Sequence, residues 1–462
     1  MPALRAELEY LPAVNFAMQQ VATVVTYQGY AMHATSFSYI QKIVITNLTD
    51  SRIDNVWFTL SFEPQFAENI SVNVGSVMPG QVIEIGGEKL DIKLSFDFLV
   101  GLTERIKGYN VIDLCSGNTL IYHEKYDVVL LALDECPLNV SPEFTASFVM
   151  PNHPVLTGVL RRAGEIRCIL DGNGGLNGYS QLQQCNPESA IQILHAKLSV
   201  ENQIKSIYTA LKELEITYVL PPRDFFNALG QRVRLADEVV TRRLGTCFDT
   251  SILFASCFEA AGLDPLIILT HNHAFVGCFL EDELYEDFED CIIDDADVLK
   301  ELYDQNLIEL IETTTVTKGH NEYYEKAKHI WWDVFSKKSK FENFREEFEG
   351  ALNIKVLRKM GFQPLPQRVL QEYWDHSNRL LTLPPDHPAA LPGGGEISAY
   401  SDDLYYIYLN EIVYGPYRLD QMVDLPLLPD TLVTTNKLNG EWYEARYFGC
   451  FAHKFMMVST DG

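Results

Sequence analysis

The chain has 462 residues, of which 47% are hydrophobic and 21% charged, so it is long enough for about three domains of ordinary soluble composition. Its 63 acidic and 36 basic residues give a net charge of −27, which repels nucleic-acid phosphates and anionic lipids, so we expect neither nucleic acid nor membrane as a partner. Charged residues near the N-terminus argue against a signal peptide, and no apolar run reaches the ~18 residues of a membrane span, so we expect a cytoplasmic protein.

A period of two between residues 21 and 133 predicts β-strands with one buried face. The alternating apolar positions are Val56, Phe58, Leu60 and Phe62 in one run, and Leu90, Ile92, Leu94 and Phe96 in another. Turn signals at 47–50 and 78–80 separate such runs, as in an antiparallel sandwich. The block 21–136 resembles an immunoglobulin-like module, which usually scaffolds or binds, and we expect residues 1–20 to form an N-terminal arm.

Past Pro137 the period becomes that of helices, and the longest predicted helix covers residues 190–214. Its apolar positions recur at intervals of three and four: Ile191, Leu194, Leu198, Ile204, Ile207, Tyr208 and Leu211. The loop 171–178 before this helix has the glycines of a phosphate-binding loop but lacks its lysine, so we expect a plain loop.

A buried helix that begins at a cysteine is predicted further along the chain. Thr246 fits the N-cap, with Asp249 as its capping-box partner, and Gly262 fits the stop signal. Cys247 then takes the first helical position, where unpaired amide groups and the helix dipole favour the nucleophilic thiolate. The nine cysteines include no CxxC pair, which argues against a disulfide framework and a zinc site. Taken alone, Cys247 could equally be a buried structural thiol.

The apolar run 266–277 follows this helix and predicts a buried strand that carries two histidines. His271 and His273 would point to the same face of a regular strand, at different heights. An imidazole beside a cysteine can take the thiol proton and later protonate a leaving amine. Each histidine could instead be a hydrogen-bonded structural residue, which is the interpretation we favour for His271.

Gly245-Thr-Cys-Phe-Asp249 followed by His273-Ala-Phe resembles the transglutaminase-like cysteine peptidase superfamily, which has a papain-type α/β core. The similarity is closest to modules attached to bacterial defence-associated superfamily-one helicases, although no helicase motif is present. It extends over roughly residues 21–366, and the further runs that carry it are 98–105, 176–179, Pro222 with Phe225, 230–234, 311–314 and 361–366.

This resemblance implies that Cys247 is the nucleophile, His273 the base and Glu312 the acid that orients the imidazole. Glu312 stands where the superfamily usually has aspartate. Three rival acids lie in an acidic stretch that also fits a solvated loop: Asp294, Asp295 and Asp297. Gln231 matches an upstream glutamine whose amide, with the backbone N–H of Cys247, would form an oxyanion hole. The alternative for Gln231 is a surface amide, and no cofactor or metal is expected.

We expect the peptidase domain to span residues 137–382, followed by a linker at 383–403 that is rich in proline and glycine. Residues 404–462 resemble the bacterial GYF domain, whose eukaryotic relatives hold proline-rich peptides on aromatic side chains. The peptide-binding residues that this implies are Tyr406, Tyr408, Gly415, Pro416, Tyr417 and Trp442. Leu404 stands where bacterial relatives often begin with tryptophan, and a purely structural use of the aromatics is the alternative.

Together these patterns predict an α+β multidomain protein with an immunoglobulin-like β-sandwich, a transglutaminase-like papain-type core and a small GYF-like α+β domain. We expect a cysteine hydrolase that cleaves peptide or isopeptide bonds of a protein substrate through a thioester, within a bacterial anti-phage defence system. The same thioester could instead support amide transfer to an amine, or deamidation. A third alternative is a catalytically silent scaffold or sensor that binds a partner protein.

Overall fold

The computed structural model describes residues 3–20, 39–186, 188–220, 229–282, 291–320 and 323–365, and in the C-terminal part 404–409, 412–417, 419, 422, 431–435 and 442–451. The chain forms two compact units, Met1–Leu365 and Pro366–Gly462. Helices and several β-sheets are mixed, which confirms the predicted α+β class. Within the described ranges, no helix has the length and apolar character needed to cross a membrane. The linker predicted at 383–403 lies outside the described residues, and the finer domain bounds stay predictions.

The first part of Met1–Leu365 is built mainly from strands. Its elements are β1 (Leu4–Tyr10), β2 (Ala13–Val14), β3 (Ile40–Asn47), β4 (Ile53–Glu63), β5 (Ile70–Val77), β6 (Val82–Gly86), α1 (Phe96–Val100), β7 (Ile106–Ser116), β8 (Thr119–Leu130) and β9 (Glu135–Cys136). One sheet has the order β1-β3-β6 and another the order β2-β8-β7-β4-β5. The residues predicted as an N-terminal arm therefore contribute β1 and β2 to these two sheets.

The period-two prediction is confirmed in β4 and wrong near residue 90. The alternating apolar positions of β4 are all buried: Val56, Phe58, Leu60 and Phe62. The second run forms no strand, because Asp91 adopts a left-handed conformation (φ 39°) that breaks the extended chain. Ser95 then takes the N-cap position of α1, which begins at Phe96.

The rest of Met1–Leu365 combines helices with a central sheet. Its elements are α2 (Thr145–Phe148), α3 (Leu156–Asp171), α4 (Ala190–Lys212), β10 (Thr217–Tyr218), β11 (Gln231–Arg232), α5 (Ala236–Arg242), β12 (Leu244–Gly245), α6 (Cys247–Ala260), β13 (Pro265–Thr270), β14 (His273–Phe279), β15 (Ile292–Ile293), α7 (Ala296–Asp304), β16 (Ile308–Ile311), α8 (Tyr324–Ser336), α9 (Lys338–Glu347), β17 (Phe348–Asn353) and α10 (Ile354–Lys359). The central sheet has the order β15-β17-β13-β14-β16 and is antiparallel throughout. Helix α6 packs against β13 and β14, so the cysteine helix lies on this sheet.

The run 266–277 is a β-hairpin, and the prediction of one continuous strand is wrong. Strands β13 and β14 pair antiparallel, with Thr270 opposite His273, so His271 and Asn272 form the turn. Asparagine is favoured in turns because its short polar side chain bonds to nearby backbone. The two histidines therefore do not share a strand: His271 lies in the turn and His273 begins β14.

Helix α4 covers most of the predicted helix, but its apolar stripe is only half buried. The C-terminal positions are buried: Ile204, Ile207, Tyr208 and Leu211. The N-terminal positions are exposed: Ile191, Leu194 and Leu198. Periodicity identifies the apolar face of a helix, but it does not show how much of that face other elements pack against. In the described part of the chain, this packing ends midway along α4.

The glycine-rich loop 171–178 is held by hydrogen bonds with the side chains of Arg167 and Gln203. The buried Arg167 guanidinium donates to the carbonyl of Gly175 and to the side-chain oxygen of Asn177. The Gln203 amide oxygen accepts from the backbone N–H groups of Asn177 and Gly178 at 2.8 and 2.9 Å. These bonds agree with the prediction of a plain loop.

The unit Pro366–Gly462 has a sheet of its own. Its described strands are β18 (Tyr405–Leu409), β19 (Ile412–Tyr417), β20 (Leu432–Thr435) and β21 (Tyr443–Glu444), in the order β19-β18-β20-β21. The core residues of the unit are Tyr405, Ile407, Met422, Val433, Tyr443, Ala445, Phe448 and Phe451. These residues give the unit an apolar core of its own.

Candidate active site

Cys247 is the first residue of α6, and its position is fixed by a capping box. The Thr246 hydroxyl accepts from the Asp249 backbone N–H at 3.1 Å, and the Asp249 carboxylate accepts from the Thr246 N–H at 2.8 Å, as predicted. The same carboxylate accepts from the backbone N–H and guanidinium of Arg234 at 2.9 and 3.0 Å. Burial nevertheless raises the pKa of Asp249. Asp249 thus anchors the start of the helix, and Cys247 is only 1% exposed.

His273 and Glu312 lie side by side at one edge of the central sheet. Strand β14 begins at His273 and pairs with β16, which ends immediately before Glu312. The His273 Nε2 atom is 2.8 Å from Glu312 Oε2. Burial alone would raise the pKa of Glu312, but hydrogen bonds from His273 and Thr314 hold it below its usual value. Glu312 is therefore a carboxylate at neutral pH, able to orient the imidazole and stabilise its charged form.

The His273 ring also contacts the cysteine. Because Nε2 faces Glu312, the nitrogen left to interact with Cys247 is Nδ1. Burial lowers the pKa of His273, but the hydrogen bonds to Cys247 and Glu312 and the negative charges of these groups raise it to about 10. The ring consequently carries a proton at neutral pH and presents a positive charge to the sulfur.

Two threonines attach the acid to the cysteine helix. Thr314 donates to Glu312 Oε1 from its backbone N–H at 3.0 Å and from its hydroxyl at 2.6 Å. Thr313, directly after the acid, accepts from the Thr250 hydroxyl at 3.0 Å. Since Thr250 lies on the first turn of the helix that Cys247 begins, these bonds hold the acid and the nucleophile on one rigid frame. These roles were not predicted from the sequence, although Thr313 and Thr314 belong to a run that carries the family resemblance.

Tyr218 is a contact of the cysteine that sequence analysis missed. Strands β10 and β12 pair in parallel and place Tyr218 opposite Gly245, two residues before Cys247. The tyrosine side chain lies close to the Cys247 sulfur and interacts with it electrostatically. Burial, followed by the charge and hydrogen bond of Cys247, raises the pKa of Tyr218 to about 12. No local pattern predicts this contact, because it depends on a two-residue pairing between distant parts of the chain.

The rival acids lie elsewhere. Asp295 caps α7 by accepting from the Asp297 backbone N–H at 2.8 Å, and Asp297 forms an ion pair with Arg345. Asp294 is exposed. Among the four predicted acids, Glu312 is thus the one that contacts His273.

His271 and Gln231 bond to backbone carbonyl groups outside the cluster of Cys247, His273 and Glu312. His271 Nδ1 lies 3.2 Å from the Glu347 carbonyl, and the side chain is 59% exposed in the turn. Gln231 is buried, so the alternative of a surface amide is wrong. Its side-chain N–H donates to the Arg232 carbonyl at 2.9 Å, and its role at an oxyanion hole stays a prediction.

The residues predicted to bind peptide in the C-terminal unit differ in exposure. Trp442 is fully buried, with its ring centroid 5.9 Å from that of Tyr408, so it belongs to the interior of the unit. The tyrosines predicted to bind peptide are half-buried: Tyr406, Tyr408 and Tyr417. Gly415 and Pro416 lie in β19. Among the predicted peptide-binding residues whose burial is described, the tyrosines are the ones that a ligand can reach.

The site offers the chemistry of a thiol, an imidazole and a carboxylate. In the described ranges, no group of three or more His, Cys, Asp or Glu side chains is arranged to hold a metal ion. A protonated imidazole between a thiol and a carboxylate can activate the sulfur and later supply a proton to a leaving group.

No protein-family model matches this sequence, and no curated protein matches it. Among solved structures, a family 76 glycoside hydrolase from a bovine Bacteroides thetaiotaomicron strain is similar over 38% of this chain and 37% of that chain, with 7% identity and a TM-score of 0.12. This chain therefore spans little more than a third of that protein's length, and such a TM-score does not indicate a shared fold.

Proposed function

We propose that this chain is a cysteine hydrolase of the transglutaminase-like superfamily that cleaves peptide or isopeptide bonds of a protein substrate. The observation that supports it best is the position of the His273 ring, which contacts Cys247 on one side and Glu312, at 2.8 Å, on the other. A structural histidine would need neither a thiol partner nor a buried carboxylate held by further hydrogen bonds. The raised pKa of His273, about 10, means that the ring already carries in the resting site the proton that the leaving amine must receive.

In this mechanism the Cys247 sulfur attacks the carbonyl carbon of the scissile bond. The carbonyl π pair moves to oxygen, and the backbone N–H of Cys247, one of the free amides of the helix N-terminus, donates to that oxygen together with the Gln231 amide. His273 gives its proton to the leaving amine as the C–N bond breaks, which leaves a thioester. Water then loses a proton to His273 and attacks the thioester, releasing the acid and the thiolate.

The remaining modules are proposed to serve this chemistry. The two sheets formed by residues 3–130 support an immunoglobulin-like scaffold, and the antiparallel sheet of Pro366–Gly462 supports a GYF-like module. We propose that the half-buried tyrosines of that module bind a proline-rich segment of a partner protein. We propose a role within a bacterial defence system, and the resemblance of residues 21–366 to modules of defence-associated helicases supports it.

The test is acylation of Cys247 by p-nitrophenyl acetate, an activated ester that requires no specific recognition. We expect a burst of one equivalent of p-nitrophenolate per chain, with the acetyl group located on Cys247 by mass spectrometry. The Cys247→Ser variant is the matched control and should give no burst. A folded wild-type chain without a burst would contradict the proposal and favour a silent scaffold.

Two further measurements define the reaction. Peptide libraries incubated with the wild type and with Cys247→Ser should show cleavage with the wild type alone. Addition of methylamine during turnover shows whether water or an amine resolves the thioester, because transfer would yield the methylamide instead of the free acid.

A further inference from the structure

Tyr218 is held by backbone bonds to the segment that leads into the cysteine helix. On one side of it, the Thr217 N–H donates to the Arg243 carbonyl at 2.7 Å, and on the other the Val219 N–H donates to the Gly245 carbonyl at 3.0 Å. The direction of the Tyr218 side chain is therefore fixed relative to Cys247. Its half-buried ring lies close to the buried sulfur and interacts with it electrostatically.

A hydroxyl in this position can also approach the carbonyl oxygen of a substrate bound to the sulfur. When the Cys247 sulfur bonds to a carbonyl carbon, the carbonyl oxygen is only two bonds from the sulfur. A donor that reaches the sulfur can then reach the oxygen after a small rotation. In the tetrahedral intermediate this oxygen carries the negative charge and can accept a hydrogen bond from the hydroxyl.

We propose that Tyr218 is a catalytic residue whose hydroxyl, placed close to the Cys247 sulfur, donates to the oxyanion once the S–C bond has formed. This inference rests on the proposed function. No proton leaves Tyr218 in the step: the carbonyl π pair moves to oxygen and returns when the leaving group departs with the proton of His273. The hydroxyl, the Cys247 backbone N–H and the Gln231 amide would then be the donors to the oxyanion.

Two observations support this role. The pKa of Tyr218, raised to about 12 chiefly by burial, means that the hydroxyl keeps its proton over the whole range in which the protonated His273 can act. In addition, one N–H of the Gln231 amide is already used by the Arg232 carbonyl, which leaves that side chain a single donor for an oxyanion.

The test compares two reactions of the same sulfur in the full chain. Acylation by p-nitrophenyl acetate passes through an oxyanion, whereas alkylation by iodoacetamide displaces iodide at a saturated carbon and forms none. Tyr218→Phe removes only the hydroxyl from a half-buried ring. We expect it to slow acylation of Cys247 on the order of 10²-fold, as for loss of an oxyanion donor, and to change alkylation by less than about threefold.

The matched control is Tyr122→Phe, which removes a hydroxyl that donates to the Ala6 carbonyl at 2.9 Å in the strand-rich part of the chain and should change neither rate. Equal slowing of both reactions by Tyr218→Phe would mean that the hydroxyl acts on the sulfur alone, and faster reaction of both would mean that it only covers the sulfur. Either result, or no change at all, overturns the inference. A wild-type Cys247 that reacts with neither reagent would instead overturn the proposed function.

Discussion

His273 Nε2 and Glu312 Oε2 lie 2.8 Å apart although the two residues are 39 positions apart in the sequence. The distance results from the antiparallel pairing of β14 with β16, which brings the start of one strand close to the residue that follows the other. The same carboxylate is held by both N–H and O–H of Thr314. An acid fixed in this way can keep one ring nitrogen occupied and so direct the other nitrogen at Cys247.

Replacement of Glu312 by glutamine tests this arrangement directly. Glu312→Gln removes a negative charge that helps to raise the pKa of His273, so that pKa should fall from about 10 towards its ordinary value of 6.5. We expect acylation of Cys247 to slow by about 10²-fold or more. The imidazole pKa can be followed by NMR titration. Glu349→Gln, near His271 at 3.9 Å, is the control and should leave both quantities unchanged.

The free energy of unfolding should depend on pH through His273. Its pKa is raised from 6.5 in the unfolded chain to about 10, so its contribution is fully present below about pH 6.5 and is lost as the pH rises through 10. The pKa of Glu312 is lowered from 4.5, so its contribution is present above that value and is lost as the pH falls through its folded value.

Urea unfolding of wild type and His273→Ala between about pH 5 and pH 10 measures the first of these effects. The stability difference between the two chains should shrink as the pH rises from 6.5 towards 10. A difference that stays constant over this interval would show that His273 is not held in its protonated form.

Local sequence signals predicted the start of the cysteine helix because every partner there is close in the chain. The capping box needs only Thr246 and Asp249, three residues apart, and the helix stop needs a glycine that tolerates a left-handed conformation, as Gly262 does at φ 78°. The nucleophile, base and acid were assigned from the family resemblance, and the geometry brings those three side chains together.

Features that depend on distant pairing could not be predicted. The position of Tyr218 beside Cys247 depends on a short parallel pairing of distant segments. The hairpin turn is local, and it was missed because neither of its turn residues, His271 and Asn272, is a glycine or proline. The exposed N-terminal half of α4 and the buried Trp442 were missed for a related reason. An apolar or aromatic pattern indicates that a side chain can be buried, and only the tertiary packing decides whether it is.

The two histidines should respond differently to alanine. His273→Ala removes the ring that contacts the sulfur and should abolish turnover. His271→Ala changes an exposed turn residue, so we expect turnover close to wild type and a change in unfolding free energy of at most about 0.5 kcal/mol. Turnover assays and thermal unfolding of both variants provide the comparison, and a reversed pattern would make His271 the base.

Iodoacetamide at about pH 6 should modify Cys247 before the other eight of the nine cysteines. The protonated His273 ring presents a positive charge to the Cys247 sulfur, whereas burial raises the pKa of Cys136 and Cys257 to about 12. The exposed Cys168 is an internal control, because access alone would make it react first. His273→Ala should slow labelling of Cys247 and leave that of Cys168 unchanged. Mass spectrometry of tryptic peptides gives each rate, and uniform labelling would remove the support for an activated nucleophile.

A chain that ends near Arg379 should separate the chemistry from recruitment. All residues with a proposed catalytic role lie within Met1–Leu365, and Pro366–Gly462 has its own apolar core, so the shortened chain should fold and keep the wild-type rate of Cys247 alkylation within about twofold. Binding of a proline-rich peptide, measured by fluorescence anisotropy, should be lost, because a linked adaptor raises the local concentration of a partner without touching the catalytic groups. Tyr406→Ala in the full chain is the matched control and should lose peptide binding alone. If the shortened chain unfolds or its Cys247 becomes unreactive, the C-terminal unit is an integral part of the catalytic core and is not an adaptor.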